Sequence, residues 1–64
     1  SHASDVLDVA LNNEIVQKSG AWLSFENEKI GQGRENARQF LKENEKILNK
    51  IEKMIITKVQ AAKT

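Results

Sequence analysis

The sharpest constraint on the fold is the triplet Gly31-Gln32-Gly33, where one backbone period gives way to another. Before it, Trp22 and Ser24 alternate with Leu23 and Phe25. The pair Glu26-Asn27 then separates this run from Glu28-Lys29-Ile30. Two short alternating runs around a two-residue, Asn-containing turn predict a β-hairpin. After the triplet the apolar spacing becomes helical. The glycines permit positive φ, so the chain can turn sharply from strand into helix.

The flanking segments are helical in pattern. Val6, Leu7, Ala10, Leu11 and Ile15 recur at helical spacing, which predicts a helix over 5–17 with Asp5, Asp8, Asn12 and Asn13 outward. Ser4 is the expected N-cap, and Gly20 breaks the pattern. A second helix is expected from Arg34 to Glu43, with Ala37, Phe40 and Leu41 inward. Asn44 is expected to cap a third, whose stripe is Ile47, Leu48, Ile51, Met54, Ile55 and Val59. Residues 60–64 are expected to fray. The predicted fold is therefore a single α+β domain over 1–64, in the order helix, β-hairpin, helix, helix. Residues 1–3 are read either as native chain or as a linker or tag remnant, and the absence of an initiating Met suggests an excised piece.

At 64 residues the core is small. Such a chain buries only about 60% of the surface it exposes when unfolded. With no cysteine, neither disulfides nor Cys-based zinc can staple it. The large apolar residues are thus expected to be spent on the core. Trp22, Phe25 and Phe40 are read as core rather than as base-stacking groups. The Ile47–Val59 stripe is likewise read as core rather than as a dimer seam.

Charge is polarised. Residues 1–16 carry Asp5, Asp8 and Glu14 and no Lys or Arg, while residues 46–64 carry five lysines against Glu52. Those lysines (46, 50, 53, 58 and 63) are read as a solubilising surface. No apolar run of about 18 residues exists, so no transmembrane helix is expected. No catalytic constellation is visible. The only His, His2, lies at the end of the chain, and Glu26 and Glu28 flank a turn where they should be solvated. No enzyme activity and no metal or other cofactor are expected of this chain.

A candidate anion site is visible at the glycine corner. A helix N-terminus offers unpartnered amides and the positive end of the dipole. Arg34 adds a planar guanidinium suited to phosphate, and Gly33 lets a phosphate approach the backbone. Arg38 and Lys42 follow at i+4 and i+8, and Lys29 lies on the adjoining strand. Several cations, read as backbone contacts rather than base readers, suit sequence-independent binding. A merely solvated basic face has the same residue pattern.

The stretch from Lys18 to Ala37 resembles the C-terminal domain of the bacterial RecA recombinase family. The residues that carry the likeness are Lys18-Ser-Gly-Ala-Trp22, Leu-Ser-Phe25, Glu28-Lys-Ile-Gly-Gln-Gly-Arg34 and Asn36-Ala37. The helix from Asp5 to Ile15 and the run Phe40 to Asn44 also fit, so the likeness covers residues 4 to 58. Leu23 and Phe25 stand where tyrosines are usual, and Glu45 where a proline is common. No acidic run like the tail typical of many members occurs within residues 1–64.

The resemblance implies a double-stranded-DNA-binding accessory domain. It implies a longer cytoplasmic parent that binds single-stranded DNA and assembles into filaments. That parent uses ATP and Mg²⁺ in homologous pairing, strand exchange, DNA repair and SOS induction. The nucleotide site would lie elsewhere, because no Gly-x-x-x-x-Gly-Lys-Ser/Thr loop occurs here. The residues implicated in duplex binding by the resemblance are Lys18 and Arg34. A protein-interaction or structural module of the filament is the alternative, motivated by the acidic first helix and a partly exposed hairpin face.

Overall fold

A computed structural model describes residues 1–63. The elements in chain order are α1 (His2–Asn12), β1 (Val16–Ser19), β2 (Trp22–Phe25), β3 (Glu28–Gln32), α2 (Gly33–Glu43) and α3 (Glu45–Ala62). The α+β class holds. The three strands form an antiparallel meander in the order β1-β2-β3, and the helices pack on one face of it.

The first helix starts and ends earlier than expected. Its N-cap is Ser1, whose hydroxyl accepts from the Ser4 amide at 3.2 Å; Ser4 itself lies inside the helix. Ala3 is buried, so residues 2 and 3 belong to the folded body. At the other end, Glu14 adopts φ 59°. The Ile15 amide donates to Ala10 O at 2.9 Å and the Glu14 amide to Leu11 O at 3.1 Å. This hydrogen-bond pair is a Schellman motif, with a glutamate in the left-handed position usually held by glycine. Ile15 folds back into the core, and the chain is free to enter β1 at Val16.

β1 replaces what the apolar spacing assigned to helix. Val16 is its one buried residue and pairs with Phe25, while Lys18 pairs with Leu23 and Ser19 with Trp22. A two-residue loop, Gly20-Ala21, joins β1 to β2. Gly20 has φ 59°, as the first loop position of a type II′ turn requires. The β2–β3 loop is the expected Glu26-Asn27, with φ of 52° and 68°, the signature of type I′. A bulge at Ile30 interrupts the second pairing, so that Leu23 faces Gly31 and Ser24 faces Lys29.

The core lies between the sheet and the helices. Leu7, Val16, Leu23, Leu41 and Ile51 are its largest fully buried side chains, and among the described residues no polar side chain is buried. Leu23 and Phe25 point inward from β2. Trp22, on the opposite face by strand alternation, is 40% exposed. The expectation that Trp22 anchors the core is therefore wrong: β2 has one inner face, and its two other apolar residues occupy it.

Gly31 and Gly33 have different roles. Gly33 has φ 80°, as the corner requires. Gly31 does not; it is small because α2 crosses directly over it. A Cβ there would sit 2.5 Å from Ala37 N and 2.8 Å from Ala37 Cα. At the far end of α2, Asn44 stands at the junction, but its side chain closes α2 rather than capping α3, donating to Phe40 O at 2.7 Å. α3 buries Leu48 and Ile51 and then outruns the body, leaving Met54 and Val59 exposed where core was expected. It stays helical through Ala62, well into the segment expected to fray; Thr64 lies outside the described residues. No described helix is long and apolar enough to cross a membrane.

Candidate nucleic-acid interface

Arg34 leaves the first turn of α2, just past the Gly33 corner, with its side chain 61% exposed. It does not project freely: its guanidinium is hydrogen-bonded to the Asp8 carboxylate of α1. Sequence offered no specific signal for this contact across 26 residues, beyond the acidity of α1. Lys18 lies on the edge strand β1 and borders a shallow depression with Leu11, Glu14, Val16 and Gln17. Asp8 and Leu11 are one helical turn apart. Arg34 and Lys18, distant in sequence, therefore flank neighbouring positions of the same helix.

The corner itself differs from expectation in one respect. The Gly33 amide donates to Ala21 O at 2.7 Å, tying α2 to the β1–β2 loop. It is not available to a phosphate. The open donors of this helix end are the Arg34 and Glu35 amides, which have no acceptor within the helix. Gly33 serves the corner through its shape.

The basic residues along α2 are not equivalent. Arg38 is the least exposed of them and is hydrogen-bonded to Glu35, one turn back. That hydrogen bond, with the attraction of the guanidinium charge, holds the Glu35 carboxyl below the usual carboxylate range and raises Arg38. Lys42, in the last turn, is exposed. Among the described residues, no carboxylate lies within ion-pair distance of Lys18, Lys29 or Lys42.

Lys29 is separated from Lys18 by the sheet. Lys18 pairs with the inward Leu23, Lys29 with the outward Ser24. Lys29 Nζ lies over the Trp22 ring, 4.9 Å from its centroid. Sequence reasoning passed over Trp22 as a functional residue because a lone Trp in a small chain is usually core. The signal that could have found it is the alternation of β2, which puts Trp22 opposite Leu23 and Phe25.

These residues do not fit a nucleotide–Mg²⁺ site. The glycine amide is occupied, a carboxylate stands in the first turn of α2, and the described residues include no cluster of three acids or histidines suited to a metal ion.

Fold and surface together define a class: a small α+β module with a glycine corner feeding a basic helix, and with its cations spread over the surface. The family model for the RecA C-terminal domain matches residues 4–60. Over 55 residues, 86% of this chain, the chain is 54% identical to Protein RecA of Clostridium tetani. Over the same span it is 56% identical to that of Halalkalibacterium halodurans and 54% to that of Syntrophus aciditrophicus. The chain belongs to the RecA C-terminal domain family. It spans 16% of the length of each of these relatives.

Proposed function

We propose that this domain binds double-stranded DNA through the phosphate backbone, as an accessory module of a RecA-type recombinase. The observation that carries the reading is the placement of exposed Arg34 and Lys18 on one side of α1, beside the open helix end of α2. Arg34 and Lys18 are the primary grips. Arg38 and Lys42 continue the positive surface along α2, Gly33 shapes the corner, and Lys29 reaches the nucleic acid from the outer sheet face. The cations are spread over the surface rather than gathered on an element shaped to enter a groove, which favours phosphate contacts and sequence-independent binding. The longer recombinase would supply ATP and Mg²⁺ chemistry, filament assembly on single-stranded DNA and strand exchange. It would act in DNA repair and SOS induction in the cytoplasm.

Asp8 modulates the grip. A phosphate must displace or share its hold on Arg34, an exposed pair worth about 0.2–1 kcal/mol. That is small against several phosphate contacts, so the ion pair tunes affinity rather than blocking it. Binding by the domain alone should be weak, with Kd on the order of 10⁻⁴–10⁻⁶ M and steep salt dependence. Chemical-shift mapping with a short duplex at low salt tests the reading. Shifts should cluster at Lys18, Arg34, Asp8 and Glu35; a duplex that leaves all four unmoved would sink it.

A second reading is favoured by one observation. An apolar groove of about 220 Å³ runs between α1 and α3, lined by Val6, Val9, Ile55 and Ile56 and edged by His2, Asp5 and Glu52. It suits a contact with another part of a recombinase filament. Retention of duplex capture by a longer recombinase carrying Lys18→Ala and Arg34→Ala would favour this reading over the first.

A further inference from the structure

Trp22 lies outside the buried core. It is 40% exposed on the outer face of the sheet, while the inner face is filled by Leu23, Phe25 and Val16. The strand register defines its neighbours. One rung holds Ser19, Trp22 and Gln32, the next Gln17, Ser24 and Lys29. Every residue of these two rungs except Trp22 is polar, and none is acidic. Lys29 is the one charge among them, and it is held over the indole at 4.9 Å. Elsewhere on the candidate interface, Arg34 and Arg38 are each paired with a carboxylate.

An aromatic ring beside an unneutralised cation on a polar surface is the arrangement that binds single-stranded nucleic acid. In the free chain the ammonium lies over the ring; on binding it swings to a backbone phosphate, and a base takes the ring face it leaves. Paired bases in a duplex have both faces covered by their neighbours, so only an unpaired base can reach the indole. The location also fits. Trp22 pairs with Gln32, and the residue before it, Ala21, accepts from the Gly33 amide, so the ring stands beside the corner that presents Arg34.

We infer that Trp22 and Lys29 form a second nucleic-acid contact, specific for unpaired bases and separate from the duplex grip at Lys18 and Arg34. A strand held here would lie across the outer sheet face, on the side opposite Lys18. The inference rests on the reading of the domain as DNA-binding, but its stacking ring, Trp22, has no part in the duplex grip at Lys18 and Arg34, so the two can fail separately.

Trp22 is the only tryptophan and there is no tyrosine, so its emission reports stacking directly. The 64-residue chain is titrated with a short oligothymidylate and, separately, with a duplex closed at both ends by abasic loops. Saturable quenching by oligothymidylate, but not by the duplex, is expected. Trp22→Ala should weaken binding of labelled oligothymidylate about tenfold, and Trp22→Phe should recover part of the loss. Because the quenching experiment uses the unaltered chain, misfolding of a variant cannot shield the idea. Oligothymidylate that leaves the emission unchanged, while the duplex still shifts Lys18 and Arg34, overturns this contact and spares the duplex grip. Quenching with no duplex shifts supports it and removes the other.

Discussion

Replacing Gly31 with alanine isolates the contact that sets α2, and with it Arg34, on the sheet. The added Cβ would lie 2.5 Å from Ala37 N and 2.8 Å from both Ala37 Cα and Asn36 C. Ordinary contact begins at about 3.4 Å, so α2 must lift by about 0.6–0.9 Å. All three atoms are backbone, and no rotamer change can relieve them. Overpacking of a close-packed core costs about 1–3 kcal/mol; a helix-wide displacement belongs at the upper end, about 2–3 kcal/mol. A core of this size supplies roughly 3–5 kcal/mol in total. The melting temperature should fall by roughly 10–20 °C, at about 4–8 °C per kcal/mol. Gly20→Ala is the control. It also places a Cβ on a glycine, at φ 59°, but with nothing within 4 Å, so its cost is backbone strain alone, about 1 kcal/mol. Circular-dichroism melts of the two variants decide the matter. If Gly31→Ala melts no lower than Gly20→Ala, the close approach of α2 to β3 is wrong. The clash is with backbone, so adding Ala37→Gly should not restore stability.

Other expectations follow from single contacts. Glu14→Gly should raise stability by about 0.5–1 kcal/mol, because glycine adopts the left-handed C-terminal position without the penalty an L-residue carries; a denaturant titration checks it. Asp8→Asn should strengthen duplex binding about two- to fivefold at low salt by releasing Arg34, as read by fluorescence anisotropy of a labelled duplex. NMR titration of Glu35 should show a pKa below the usual carboxylate range, returning to it in Arg38→Ala. The stability this pair contributes is present at neutral pH and is lost as pH falls through the depressed Glu35 pKa.

Much of the fold was legible from residue pattern. The Glu26-Asn27 turn, the glycine corner and the courses of α2 and α3 follow from local periodicity and turn chemistry. What escaped had non-local causes or an atypical residue at a decisive position. The end of α1 is set by a left-handed residue that is usually glycine; here it is Glu14, so the helical spacing carried past it to Ile15. β1 contributes one buried residue, Val16, too few to show a period of two. Gly31 looks like a turn glycine, whereas its role is set by Ala37, a residue of α2 six positions on. The candidate site was legible as a residue set but not as an arrangement. Asp8, which neutralises Arg34, lies 26 residues away in sequence. Lys18 and Lys29 fall on opposite sides of the sheet because of a strand that the pattern did not reveal.

The claim that Arg34 grips the DNA backbone is tested most directly by the salt dependence of duplex binding. The slope of log K against log salt counts the phosphates neutralised, and loss of one phosphate contact lowers it by about one. For Arg34→Ala the slope should fall by that amount equally on duplexes of unrelated sequence. An unchanged slope, or a loss confined to one sequence, would contradict it.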